Sequence, residues 1–386
     1  MGNNLYFDWA ATTPVREEVI KAMTPWLTDS WGNPSSVHSI GIKAHAAVEN
    51  SREIIANMIG AEPSEIFFTS CGSEANTWAL TRYKSDRGRI FTPIEHHSVM
   101  YSCLSDLRGA THCSIDSCGR INIGELRNLI NRSSAKLVTT QYVNNEIGTI
   151  EPVDQIAPIC EREDLLYHVD AVQAFGHIPL YVKDPDHYGI TTLSASAHKI
   201  GGPKGIGFLY IRKDVQRIYS PLIYGGKQEQ DLRGGTENVA GIVGFAKACE
   251  LAQEEVYSQK YEDLRSLVQY CWDFFKNNIP NAYLNGLPIL DSERVPHILN
   301  VSFEKIKGEE LASMLNEQGI FVSTGSACNS GSPEPSHVLK ALGISKDLAN
   351  SSIRISFGPD TKLIDINYLC QKIVQDVAIL RGDEIS

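Results

Sequence analysis

The sequence predicts an α/β protein with a mainly parallel sheet in one large domain and a smaller α+β domain beside it. Two observations carry this. Short apolar runs of strand length alternate with longer helical patterns as far as about residue 256, the pattern of a parallel sheet covered by helices. Beyond that point the alternation gives way to a long charged helical segment followed by isolated strands and helices. A chain of 386 residues is long enough for a large core and for two or three domains.

The elements follow in order. A helix is expected over 15–27, where Val15, Val19, Met23, Trp26 and Leu27 share a face. Strands are expected at 65–70, 89–93, 137–143, 165–171, 191–197 and 207–212, with helical patterns between most of them. Parallel strands of this kind leave ligand-facing groups at their C-terminal ends. In the second part a helix covers 258–277, strands fall at 297–303 and 351–357, and a helix spans 308–318. A last helix runs from about 362 to 381, with Leu363, Ile366, Leu369, Ile373, Val377 and Leu380 in one stripe. No Pro/Gly-rich linker separates the two parts, so they are expected to pack tightly.

Composition narrows the function. The chain has 35 basic and 46 acidic residues, a formal charge of −11, which argues against binding nucleic acid by bulk phosphate attraction. No apolar run reaches the length of a membrane span, and the first residues show no basic segment followed by an apolar one. The nine cysteines are scattered and form no C-x-x-C pair. The spacing in "HCSIDSC" (112–118) fits no zinc pattern. Reduced thiols in a cytoplasmic protein, with no metal site, are expected.

Several motifs carry chemistry. The run "TLSASAHKIGGPKGIGF" (192–208) brings Lys199 to the end of a buried strand and then enters a glycine-rich loop. Burial disfavours the charged ammonium, and a lysine so placed is a usable amine nucleophile able to form a Schiff base; the plain alternative is a surface lysine in a turn. The loop lacks the spacing of a nucleotide-binding P-loop. In "FFTSCGSEAN", Gly72 and Ser73 open a helix whose first N–H groups suit a phosphate, or Ser73 simply caps it. Asp170 and Gln173 follow a strand directly; the carboxylate either caps a helix or faces a cationic ring nitrogen. A Schiff-base lysine and such an aspartate are the two groups that pyridoxal phosphate requires. His96 is a structural histidine or a ring stacked on a cofactor. Cys328 lies in a loop of Ser, Gly, Asn and Pro, a setting unlike that of a buried structural thiol. With a pKa of about 8.5, a free thiol is only a few per cent thiolate near neutrality, so Cys328 needs a base or a proton acceptor to become a nucleophile.

Taken together, the segments "YFDWAATTPV", "WGNPSSVH", "FTSCGSEAN", "EHHSV", "VNNEIGTIEPV", "YHVDAVQAFG", "SAHKIGGPKGIGFLYIR", "RGGTENVAGIVGF", "STGSACNSGSPEPSHVLKALG" and "SSIRISFG" resemble the cysteine desulfurases, pyridoxal-phosphate enzymes of aminotransferase class V. The resemblance covers nearly the whole chain. It implies the fold-type I, aspartate aminotransferase-like PLP-dependent transferase fold. The large cofactor domain would span 14–257, and the small domain 1–13 with 258–386, carrying the Cys328 loop. Pyridoxal 5'-phosphate would be held covalently by Lys199. Asp170 would pair with its ring nitrogen, Gln173 and Asn145 with its phenolic oxygen, and His96 would stack on the ring and shuttle protons. Gly72, Ser73, Ser196 and His198 would hold the phosphate, and Thr236 would join them from a neighbouring subunit, implying a homodimer. Arg354 and Asn145 would bind the substrate carboxylate. Cys328 would be the nucleophile, in a loop like that of the longer-looped, group I members.

The reaction implied is removal of sulfur from L-cysteine, giving L-alanine and a persulfide on Cys328, which a mobile loop would carry to a sulfur-acceptor protein. Cys71, beside the phosphate turn, stands where relatives commonly have glycine, and "RGGT" replaces a common Arg-Ser-Gly-Thr. The ending "LRGDEIS" lacks the longer tail with which housekeeping members dock an iron–sulfur scaffold. That leaves room for a dedicated acceptor in tRNA thiolation, a nitrogenase-type cluster system or DNA phosphorothioation. The alternatives are another class V enzyme (a selenocysteine lyase or an aminotransferase) and a non-catalytic partner that kept the fold.

Overall fold

The computed structural model describes residues 4–85, 87–105, 109–256, 258–324 and 334–383. Its main sheet has seven strands, in the order Ile66–Thr69, Gly207–Ile211, Thr192–Ser196, Leu166–Asp170, Leu137–Gln141, Arg89–Phe91 and Ala110–His112. The last five run parallel. Gly207–Ile211 is antiparallel to both of its neighbours. Only residues 197–206 separate it from Thr192–Ser196, too few for the crossover that a parallel partner needs. The central strands are buried throughout, which is why they read as near-continuous apolar runs rather than alternating ones. Each observed strand is shorter than its expected run by one or two residues. The residues trimmed from the C-terminal ends turn away from the sheet, and these turns build the site.

Helices cover both faces. Glu17–Thr28 and Ser39–Met58 pack on Val239–Val256, while Gly72–Thr81 lies across Thr192–Ser196 and Gly207–Ile211. In Glu17–Thr28, Val19 is buried but Leu27 is 66% exposed, so the apolar face is narrower than its residues suggest.

A second sheet orders Ser352–Ser356, Ile298–Phe303 and Ala282–Leu284, all antiparallel. The helices Gln259–Asn278, Gly308–Glu317 and Leu363–Arg381 surround it. Its core includes Phe275, Phe303, Leu311, Ile355 and Ile373. Residues from the chain's start complete it: Leu5–Tyr6 pairs with Ile320–Phe321, Phe7 enters this core, and Asp8 bridges to Ser356. The stripe on the last helix buries Ile366, Leu369, Ile373 and Val377, but Leu363 opens the helix at the surface and is exposed.

Several carboxyl groups are buried, among them Glu95, Glu146 and Glu151. Glu151 accepts from the amide of Ile121 at 2.9 Å through Oε2, and burial pushes its pKa from 4.5 up to about 8. The unfolded chain releases this proton at lower pH than the folded one, so stability falls as pH rises through that window. Glu151→Gln removes the titration. Its melting temperature relative to the parent is expected to rise steadily between pH 5 and 8, as scanned calorimetrically; a pH-independent difference would contradict the buried neutral acid.

Candidate active site

The C-terminal ends of the parallel strands open on a cleft. Ten of the expected site residues line it: Gly72, Ser73, His96, Asn145, Asp170, Gln173, Ser196, His198, Lys199 and Arg354. Thr236 does not line this cleft. Cys328 lies outside the described residues.

Lys199 follows Thr192–Ser196 by one short turn, and its Nζ donates to the carbonyls of Ala10 and Ala11 at 2.5 and 2.9 Å. The amine thus points into the cleft rather than out to bulk water. The glycine loop after it is required by a close approach. Gly201 has φ +81°, its N–H donates to Thr13 Oγ1 at 2.9 Å, and a Cβ there would meet the Arg16 side chain at 2.5 Å. Only glycine tolerates both the backbone conformation and the contact.

Asp170 ends the strand Leu166–Asp170 and is buried. Its Oδ1 accepts from the Val172 amide at 3.0 Å, so it caps a turn rather than the expected helix; its Oδ2 accepts from Asn76 Nδ2 at 2.7 Å. The carboxylate is therefore fixed in orientation. Asn76 sits within the helix Gly72–Thr81 and ties several strands together. Its Oδ1 accepts from Ser194 Oγ at 2.5 Å and lies 3.0 Å from His168 Nε2, while Nδ2 also donates to Ser98 Oγ at 2.9 Å. His168 is fully buried, which pushes its pKa down to about 3. The neutral ring donates from Nε2 to Asn76 and accepts from Thr192 Oγ1 at 3.0 Å through Nδ1.

His96 caps the helix His97–Leu104: its Nδ1 accepts from the Ser98 amide at 3.1 Å and lies 2.7 Å from Ser98 Oγ. With Nδ1 engaged as an acceptor, the ring proton belongs on Nε2. Burial lowers the His96 pKa, the nearby Asp170 opposes this, and the charges of Lys199 and His97 reinforce it. The imidazole is neutral at ordinary pH.

The corner around Gly72, Ser73 and Ser196 is equally specific. Ser73 does not cap its helix; Cys71 holds the capping position and offers no side-chain bond. The first N–H groups of that helix therefore lack a side-chain acceptor. A Cβ on Gly72 would meet Val172 at 2.6 Å. The Ser196 hydroxyl is buried without a hydrogen-bond partner among the described residues, the signature of a polar group awaiting a ligand. His198, its pKa pushed down to about 4 chiefly by burial, stands beside Thr12 with Nδ1 3.1 Å from Oγ1. Gln173 donates to the carbonyl of Ala10 at 2.7 Å.

Arg354, on Ser352–Ser356, donates to Asp8 at 2.7 Å and to the Asn145 carbonyl at 3.0 Å; its Nε is buried without a partner among the described residues. Asn76, Ser98 and Glu146 were not expected from sequence, although all three line the cleft. An asparagine among buried Ala75, Trp78 and Ala79 in a helix is a poor helix former, and that was the available signal for Asn76.

The family described as Aminotransferase class-V matches residues 5–369. A relative from Methanosarcina thermophila named cysteine desulfurase IscS is 42% identical over 98% of this chain and 93% of its own length. The chain belongs to the cysteine desulfurase family of class-V aminotransferases. Solved structures agree with that assignment. A NifS-like protein superposes with a TM-score of 0.89 at 36% identity, covering 98% of this chain and 100% of its own. A structure described as SspA in complex with cysteine has a TM-score of 0.78 at 35% identity, covering 92% of this chain and 99% of its own. Class-V aminotransferases are pyridoxal-phosphate enzymes, and the fold-type I architecture expected from the sequence is the one observed.

Proposed function

We propose that the protein is a cysteine desulfurase that takes sulfur from L-cysteine, releases L-alanine and holds the sulfur on Cys328 for delivery to an acceptor. One observation carries this reading: the Lys199 amine, the Asp170 carboxylate and the Arg354 guanidinium, from three distant stretches of chain, line a single cleft. Sulfide and alanine formed in equal amounts from L-cysteine, with a reductant present, would support it. Alanine formation from L-selenocysteine alone would favour a selenocysteine lyase instead.

The residues present fit pyridoxal phosphate. The unpartnered Ser196 hydroxyl, the open N-terminus at Gly72 and Ser73, and His198 suit a phosphate. The fixed Asp170 carboxylate suits a cationic ring nitrogen, Gln173 and Asn145 suit a phenolic oxygen, and Lys199 is the amine that holds the aldehyde. When bound, the cofactor supplies an electron sink conjugated with the substrate Cα.

The chain's own groups do the rest. Arg354, with Asn145, orients the substrate carboxylate. Lys199 Nζ takes the Cα proton and later returns a proton to carbon. His96, neutral and protonated at Nε2, would lie against the cofactor ring and would relay protons. The Cys328 thiolate attacks the substrate sulfur: an S–S bond forms, the Cβ–S bond breaks, and Cβ gains the proton that makes it the methyl of alanine. The sum is L-cysteine plus Cys328 thiol giving L-alanine plus Cys328 persulfide, with no external oxidant.

The large domain of this reading is 14–257 and the small one 1–13 with 258–386, a division supported by the pairing of Leu5–Tyr6 with Ile320–Phe321. Thr236, away from this chain's own cleft, serves the cleft of a second copy in a homodimer. A cytoplasmic setting accords with the scattered, odd number of cysteines in the sequence. The acceptor is a protein of iron–sulfur cluster assembly or of tRNA or DNA thiolation.

Asn76 acts through Asp170. Asn76→Ala removes a bond to a charged group, typically worth about 1.5–3 kcal/mol. Its apo-protein is expected to bind pyridoxal phosphate at least roughly tenfold more weakly in a fluorescence titration. Unchanged affinity would show that the amide does not position the carboxylate.

A further inference from the structure

A compact group of charges closes the Arg354 side of the cleft, and the roles above leave one of them unused. Arg354 is held between Asp8 and the Asn145 carbonyl. The next residue, Glu146, also lines the cleft and is only 5% exposed. Its Oε2 accepts from the Ser336 hydroxyl at 2.5 Å. That hydroxyl itself accepts from the Val338 and Leu339 amides, so its one proton is committed to Glu146. The Glu146 backbone is fixed as well, with its N–H donating to Asn144 Oδ1 at 2.8 Å and its carbonyl accepting from Asn300 at 3.2 Å. The carboxyl group cannot swing away.

The charge count then matters. Arg354 supplies one positive charge, and Asp8 already balances it. A substrate carboxylate arriving at Arg354 makes the group net negative, and an ionised Glu146 would add a second uncompensated charge in a buried corner. Resting on the reading of Arg354 as the carboxylate clamp, we propose that Glu146 is a specificity-determining acid: protonated, it admits the carboxylate end of the substrate beside Arg354; ionised, it repels it. Burial raises the Glu146 pKa to about 7, against the pull of the Ser336 bond and the Arg354 charge. Other charged or titratable groups among the described residues face the same cleft or lie at its edge. Asp8 reaches it through Arg354, while Lys199, His96 and Asp170 line the same cleft. His337, beside Ser336, has its pKa lowered by burial, with Nε2 2.9 Å from the Glu95 carbonyl.

Propionate is the probe, because it has a carboxylate but neither amine nor thiol. Its dissociation constant from the holoenzyme, followed by the cofactor's absorbance between pH 6 and 8.5, is expected to rise above pH 7 towards roughly tenfold per pH unit. For Glu146→Gln, which keeps the shape of the neutral acid, the rise attributable to Glu146 is expected to vanish. Equal slopes in the two proteins would overturn the proposal. So would loss of propionate binding by the glutamine variant at every pH. If that variant does not fold, calorimetry of the wild type in two buffers decides. Uptake approaching about one proton per propionate is expected at pH 8 and little at pH 6; no uptake at pH 8 would overturn the proposal. Arg354→Lys separates the two readings. Weakened binding at every pH is expected of it, and unchanged affinity would overturn the clamp and this proposal together. Weakened binding there, with equal slopes in wild type and Glu146→Gln, would overturn the proposal alone.

Discussion

Lys199→Ala protein is expected to lose turnover of L-cysteine by roughly four orders of magnitude, since one change removes both the covalent hold on the cofactor and the group that moves the Cα proton. Lys199 leaves a buried strand through one short turn, and its amine is aimed at the carbonyls of Ala10 and Ala11 inside the cleft. Asp170, from the adjacent strand, faces the same space. The variant should still fold, because the amine reaches into a cleft and its removal takes no apolar group from the core. It should also lose the absorbance band of the lysine-linked cofactor. Near-normal turnover, or an unaltered band, would show that another amine carries the cofactor.

Cys328→Ala should be as damaging to turnover and harmless to everything before it. Sulfur leaves the substrate only if a second sulfur accepts it, and no water or amine replaces a thiolate in forming an S–S bond. Alanine release is expected to fall by roughly a thousandfold or more, while cofactor absorbance and the spectral response to L-cysteine persist. Cys71 provides the necessary comparison, because its thiol also lines the cleft. Cys71→Ser should retain turnover. If instead Cys71→Ser is inactive and Cys328→Ala is active, the nucleophile has been misassigned.

Much of this arrangement is legible in the sequence because it is local. Buried parallel strands read as apolar runs, and the residues just after them mark the site: Asp170 and Gln173 after one strand, His198 and Lys199 after another. The periodicity of the last helix likewise locates Ile366, Leu369, Ile373 and Val377. Periodicity also misleads at edges. Leu27 and Leu363 fit their stripes but lie where no element covers them. The reversal of Gly207–Ile211 follows from a short connection that strand propensity does not see.

What sequence reading missed is polar and non-local. Asn76 matters because Ser98, Asp170, His168 and Ser194 converge on it from three other segments. Glu146 matters because Ser336, 190 positions away, donates to it. No periodicity announces such partners, since each is an ordinary polar residue until the fold removes it from water. Ser73, read as either a cap or a phosphate ligand, is not the cap, because Cys71 occupies that position.

The central claim is that sulfur passes from free cysteine to one particular thiol. Mass spectrometry of the holoenzyme after brief exposure to L-cysteine, without reductant, tests it most directly. The peptide containing Cys328 should gain the mass of a single sulfur atom, lose it on reduction, and gain nothing in Lys199→Ala protein. Sulfur found instead on Cys71, or on no cysteine while alanine still accumulates, would contradict the account.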